Sequence, residues 1–416
     1  MTEHPDIKLD SVAALKRIQS VINRTPLQYN ARLSKQYGAS IYLKREDMQV
    51  VRSYKLRGAY NKISRLSEEE RKKGVVCASA GNHAQGFAFS CKNQQIKGVI
   101  FMPSHTPKQK IDQTRMFGET FVEIVLTGDT FDDCLKEALI YTEEHHMTFV
   151  PPFDDAAIIE GQGTVGVEIL EDLPDVDVVI IPIGGGGLAS GVGYYLEHAR
   201  PEVACFGVEP EGAPCMKAAF SAGKPVTLDN IITFVDGAAV KRAGDLTFEL
   251  CQKYISRIEL VPEGKVCSSI LNLYNNDAIV AEPAGALTVA SLDMFKDEIK
   301  GKKVVCIISG GNNDFDRMAE IKELSLQYEG KKHYFLVHFP QRPGALKLFV
   351  TEVMGPTDDI TRFEFIKKTQ RERGPALIGI EVQCAKDYQT LVERMKLKGF
   401  EFKEINTDKT LFEYFI

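Results

Sequence analysis

The feature that most constrains this chain is a regular alternation of short β-branched apolar runs with longer amphipathic stretches. IYLK (41–44) precedes YKLRGAYNKISRL, VVCAS (75–79) precedes NHAQGFAFSCKNQ, and GVIFMP (98–103) precedes TPKQKIDQTRMFG. FVEIVL (121–126) leads into DTFDDCLKEALIYTEEH, and DVVIIPI (177–183) into a glycine run and a further helical stretch. VACFGVE (203–209) and KVVCIIS (303–309) add two more strands. Runs without polar alternation need both faces covered, and strands of that kind joined by helices form parallel sheets. The expected class is α/β, with open twisted, mostly parallel sheets covered by helices and ligands at the carboxyl ends of the strands.

The pattern changes after the helical segment DRMAEIKELSLQY. HYFLVHFP, GALKLFVTEVM, TRFEFIKK, ALIGIEVQ, YQTLVERMKLKG and FEFKEI follow in β-α-β-β-α-β order, an α+β ferredoxin-like unit. The expected division is a catalytic region at 1–325, a linker at 326–333 and a C-terminal domain at 334–416. A smaller subdomain of roughly 40–150 is expected as an insert in the larger part of the catalytic region.

A formal net charge of −6 in 416 residues gives no reason to expect nucleic acid or an anionic membrane as partner. The nine cysteines are dispersed and form no CxxC pair, which suits reduced core residues in a cytoplasmic protein better than disulfides or a zinc site. The N-terminus MTEHPDIKLD is too polar for a signal peptide, and no apolar run approaches the ~20 residues of a membrane span.

Four separated segments carry chemistry. KREDMQVVRSYKLRGAYN sets Lys55 at the start of a helix among Lys44, Arg45, Arg52 and Arg57. Nearby cations or burial lower a lysine's pKa and make it a nucleophile, although by itself such a cluster suits a solvated helix face. In VVCASAGNHAQG, Ser79, Ala80, Gly81 and Asn82 form a strand-to-helix turn whose N–H groups can hold a carboxylate, or which Ser or Asn simply caps. His83 follows in the first helical turn, where an orienting part suits it. Gly184, Gly185, Gly186 and Gly187 link a strand to a helix, and backbone without Cβ can wrap a phosphate. Ser309 ends a strand beside Gly310 and Gly311.

A dinucleotide enzyme is one alternative. Gly184, Gly186 and Ala189 satisfy GxGxxA, with Glu209 closing the next strand. That short fingerprint leaves Lys55 and the other glycine turns unused. A non-catalytic amino-acid sensor is another.

Together, SYKLRGAYN, SAGNHAQG, PIGGGGLASG, EPAGA and SGGN resemble the fold type II pyridoxal-phosphate enzymes, the group that includes tryptophan synthase β, over nearly the whole chain. The likeness is strongest to the biosynthetic threonine deaminases. It implies pyridoxal 5′-phosphate as cofactor, bound as a Schiff base to Lys55, which then removes the substrate's Cα proton. It implies Asn82 on the cofactor's 3′-oxygen, Gly184, Gly185, Gly186, Gly187 and Leu188 around its phosphate, and Ser309 facing the pyridine nitrogen. Substrate binding falls to Ser79, Ala80, Gly81, Asn82 and His83, with Gly237 and Glu282 lining the same site. A neutral hydroxyl at Ser309 leaves the ring largely unprotonated, which favours β-elimination over transamination.

The implied reaction turns L-threonine into 2-oxobutanoate and ammonia, the first step of isoleucine biosynthesis, with L-serine as a secondary substrate. A serine-preferring or catabolic dehydratase is the alternative within the family. Ala80 stands where the related serine racemases carry a proton-bearing serine, which argues against racemisation. Tyr54 replaces the usual phenylalanine before the lysine. Related enzymes bind a cation through a glutamate and an aspartate at the positions of Glu209 and Cys215; the thiol removes one hard ligand, so no metal is expected. RPGAL (342–346) and ITRFEF resemble a single-copy ACT-like regulatory domain. This implies isoleucine as an allosteric effector and a homo-oligomer, a tetramer.

Overall fold

A computed structural model of the chain describes residues 7–365, 372–408 and 410–412, and the end of TRFEFIKK lies outside them. The chain forms two compact units, Met1–Asp314 and Phe315–Ile416.

In the first unit the apolar runs become strands, in chain order β1 (Leu27–Tyr29), β2 (Ser40–Arg45), β3 (Val75–Ala78), β4 (Gly98–Met102) and β5 (Val122–Leu126). They continue with β6 (Thr148–Phe149), β7 (Val178–Pro182), β8 (Ala204–Pro210), β9 (Arg257–Val261) and β10 (Lys303–Ile308). One sheet has the order β5-β4-β3-β6 and is parallel throughout. The other runs β1-β2-β10-β7-β8-β9, parallel except where β1 meets β2. β2, expected in the smaller subdomain, pairs with β10 in the larger sheet from Lys303↔Ser40 to Ile308↔Arg45.

Every residue of β3, β4 and β7 is buried, as strands apolar on both faces require. The larger sheet and its helices share a core that includes Val179, Ile181, Val192, Phe248 and Ile307; Cys77, Phe87, Ile100 and Ile158 belong to that of the smaller one.

The helices differ in how they are capped. Side chains of Asp10, Asn30, Ser67, Thr130 and Asp155 cap five helices. The helices Lys55–Ser64, Asn82–Gln94 and Gly187–Ala199 start without a side-chain cap, so their first N–H groups face outward unpaired by a cap.

The charge cluster around Lys55 departs from a solvated face. Lys44 and Arg57 are both fully buried. Arg57 donates to Glu46 and Glu168 at 2.8–2.9 Å, and Lys44 Nζ lies 2.6 Å from Glu168. Burial alone would raise the Glu168 pKa, but Arg57 and then Lys44 outweigh it and hold it low. Two cations and two carboxylates, Arg57 of the Lys55 helix among them, thus cancel, as buried charges must.

In the second unit, β11 (Lys332–Pro340), β12 (Asp359–Phe365), β13 (Arg373–Glu381) and β14 (Glu401–Glu404) form an antiparallel sheet of order β12-β13-β11-β14. Helices Ala345–Glu352 and Asp387–Leu397 complete the β-α-β-β-α-β order. Residues 326–328, expected in a linker, finish the helix Met318–Tyr328, and 332–333 begin β11.

Candidate active site

The site lies at the carboxyl ends of β7 and β10, where the uncapped helices begin. Tyr54, Lys55, Asn82, Pro182, Gly184 and Ser309 line one pocket, together with Gly237, Ala238, Glu282 and Ala284. Residues from six separated segments therefore converge.

Lys55 is the first residue of its helix, and Nζ donates to the Pro152 carbonyl at 2.9 Å. Desolvation lowers its pKa from 10.5 to about 8, against a smaller opposing pull from Glu282. The neighbouring cations contribute little, because Glu46 and Glu168 neutralise Arg57. Burial, reinforced by Asp236, pushes the Glu282 carboxyl up to about 8. Near neutral pH the pocket thus holds an amine readily deprotonated and a carboxyl that is mostly protonated.

Asn82 Nδ2 donates to Glu282 Oε1 at 2.6 Å. Ser309 is buried, and its carbonyl accepts from the Tyr54 N–H at 3.2 Å, which joins the end of β10 to the start of the Lys55 helix. Gly310 is required here, since a Cβ would come within 2.3 Å of Glu282 Oε1.

The glycine run turns its carbonyls into the protein. Gly184 O accepts from the Cys215 thiol, Gly185 O from Thr247 Oγ1 at 2.6 Å, and Gly186 O from the Ser190 N–H at 2.8 Å. Among the described residues, the N–H groups of Gly184 to Leu188 have no protein acceptor. Gly186 has φ +95°, and a Cβ on Gly185 would meet the Phe153 ring at 2.3 Å. A ribbon of unpaired N–H groups at a helix start fits a phosphate. With an accessible amine, an amide N–H and a hydroxyl in the adjoining pocket, the residues fit pyridoxal phosphate.

Of the residues expected to bind substrate, only Asn82 lines the pocket. Ser79, Ala80 and Gly81 form the turn beside it, in which Ser79 Oγ accepts from the Gly81 N–H at 3.3 Å, and His83 follows in the helix. The His83 side chain is buried and held by the Val150 carbonyl at 2.9 Å. Burial, then Lys55, lowers its pKa to about 3, so the ring is neutral. Glu209 accepts from the Met216 and Lys217 N–H groups at 2.8 and 2.7 Å, and burial raises its pKa to about 7. Among the described residues, no cluster of three His, Cys, Asp or Glu side chains could hold a metal.

Sequence reasoning missed Thr247, Phe153, the Glu46–Arg57–Glu168–Lys44 quartet and Asn312. Only Asn312 left a signal, as the last residue of SGGN. Its amide donates to Asn82 Oδ1 at 2.7 Å and to the Val51 carbonyl at 2.9 Å.

Residues 18–310 match the family model of the pyridoxal-phosphate dependent enzymes, and residues 323–415 that of the C-terminal regulatory domain of threonine dehydratase. The biosynthetic L-threonine dehydratase of Halalkalibacterium halodurans is 57% identical over 408 residues, covering 98% of each chain. The processed form of threonine deaminase isoform 2 from Solanum lycopersicum has 40% identity and a TM-score of 0.72, over 76% of this chain and 93% of its own. A serine racemase from Dictyostelium discoideum has 33% identity and a TM-score of 0.68, over 74% of this chain and 98% of its own. The chain belongs to the pyridoxal-phosphate dependent enzymes and, among them, to the biosynthetic threonine dehydratases with a C-terminal regulatory domain.

Proposed function

We propose that this chain is a threonine ammonia-lyase that converts L-threonine to 2-oxobutanoate and ammonia by β-elimination. The observation that carries the reading is the convergence of Lys55, Asn82, Gly184 and Ser309 on one pocket beside unpaired glycine N–H groups. When bound, pyridoxal phosphate supplies an electron-withdrawing ring that stabilises negative charge at the substrate's Cα.

The remaining work falls to the chain. Lys55 would hold the cofactor through its amine and accept the substrate's Cα proton; desolvation keeps part of that amine neutral near pH 7. The N–H groups of Gly184, Gly185, Gly186, Gly187 and Leu188 hold the phosphate. Ser309 sets a neutral hydroxyl against the pyridine nitrogen. The turn from Ser79 to His83 offers the substrate carboxylate the N–H groups of an uncapped helix. Ala80 carries no transferable proton, so the face opposite Lys55 has no acid there, which argues for elimination without racemisation.

L-Serine is the secondary substrate in this reading, since one methyl group discriminates by only ~1–3 kcal/mol. Isoleucine is the effector of the regulatory domain, and the oligomer is a tetramer; the matched regulatory model supports control at that domain. A cytoplasmic location accords with nine free cysteines, eight of them buried. No described helix is long and apolar enough to cross a membrane.

The test is ketoacid release from threonine and serine, each with and without isoleucine. Threonine turnover that depends on pyridoxal phosphate and falls with isoleucine supports the reading in full. Absence of ketoacid from both substrates with the cofactor bound would overturn it.

A further inference from the structure

Amide groups look alike at both ends, so the end of Asn82 that faces the pocket depends on what surrounds it. The Val51 carbonyl can only accept, which fixes Asn312 as the donor in their 2.9 Å bond. The same amide nitrogen lies 2.7 Å from Asn82, so Asn312 must also donate there and Asn82 must present Oδ1 to it. Asn82 Nδ2 is then turned the other way, towards Glu282 Oε1 at 2.6 Å. One N–H satisfies Glu282 and the second remains for a ligand. The Asn312 backbone N–H also donates to the Glu282 carboxyl, so Asn312 braces both neighbours of that amide. Gly237 closes the far side, where a Cβ would lie 3.8 Å from Asn82 Nδ2.

We propose that Asn312 is a positioning residue that locks the Asn82 amide with its N–H, and not its carbonyl, towards the cofactor's 3′-oxygen. This rests on the reading of Asn82 as the contact to that oxygen. An N–H facing the oxygen favours its ionised form, whereas a carbonyl there disfavours it. Titratable groups around the amide are Glu282, Lys55, Tyr54, Asp236, Lys110 and His83, and a side-chain substitution at 312 replaces none of them.

The experiment uses the holoenzyme of wild type, Asn312→Leu, Asn312→Ser and Asn82→Ala. It follows the ratio of the cofactor's visible band to its near-ultraviolet band across pH, and the dissociation constant for pyridoxal phosphate. Asn312→Leu removes both donors without adding charge. Its ratio should fall about tenfold across the pH range, because loss of the donor moves the equilibrium from the form with an ionised 3′-oxygen towards the neutral one. Cofactor affinity should fall about tenfold, as for one lost hydrogen bond. Asn312→Ser keeps one donor and should shift less, in the same direction; it decides the matter if the leucine variant fails to fold or to bind cofactor. A shift in Asn82→Ala with none in the Asn312 variants overturns the proposal alone. No shift in Asn82→Ala overturns the reading of Asn82 beneath it.

Discussion

Lys55 owes its low pKa to desolvation and not to its charged neighbours, and this gives its reactivity a definite pH dependence. A pKa of about 8 leaves about a tenth of the amine neutral at pH 7, against about one part in three thousand for an ordinary lysine. The neutral amine is the nucleophile, so capture of pyridoxal phosphate by the cofactor-free protein should speed up with rising pH and level off above about 8. Stopped-flow growth of the visible band measures this, and a rate still climbing at pH 10 would contradict it. Arg57 offers a second test. Arg57→Met leaves Glu46 and Glu168 buried with half their compensation, at a cost of ~3–5 kcal/mol in chemical denaturation. Lys55, Asn82 and Ser309 were legible because each belongs to a short segment with its own glycine or turn signature. The buried quartet was not, because Glu168 lies 111 residues from Arg57 and nothing local marks their meeting. Asn312 stands in the SGGN segment, but its contact to Asn82, 230 residues away, was not legible.

At the scale of elements, the strand-to-helix turns decide what the pocket can hold. The glycine run is pinned on its carbonyl side by Cys215, Thr247 and Ser190, which leaves its N–H groups without a protein acceptor. Gly186→Ala combines a positive φ with a Cβ 2.6 Å from Met216 Cε, and should weaken pyridoxal phosphate binding by tenfold or more. Gly223→Ala, also at positive φ but with nothing within 4 Å, should leave cofactor affinity unchanged and serve as the control for strain alone. Equilibrium dialysis of both variants would check this; equal affinities would refute the link between loop shape and phosphate binding. The strands of the larger sheet were readable as apolar runs, yet their order was not. Parallel strands are joined by long crossovers, so sequence neighbours need not pair, and β2 meets β10 across more than half the chain.

For the molecule as a whole, the contact division after Asp314 defines a direct comparison. A chain ending there should retain threonine turnover and lose its response to isoleucine, whereas the full chain should show both. Where isoleucine acts by weakening threonine binding, linkage requires threonine to weaken isoleucine binding to the full chain equally, which calorimetry can measure. The change of pattern behind this division was visible in sequence as a switch to antiparallel β-α-β-β-α-β order. Its boundary was not, because the helix Met318–Tyr328 carries no compositional mark of the unit it joins. One consequence of the buried quartet concerns the surrounding electrolyte. The chain carries a formal net charge of −6, and added salt acts on charges that counterions can reach. Lys44, Glu46, Arg57 and Glu168 are shut away from those ions and cancel one another around Arg57 of the Lys55 helix. Raising ionic strength from about 0.05 M to about 0.5 M should therefore leave the pH midpoint of cofactor capture where it is, as if the helix under Lys55 were an electrical insulator.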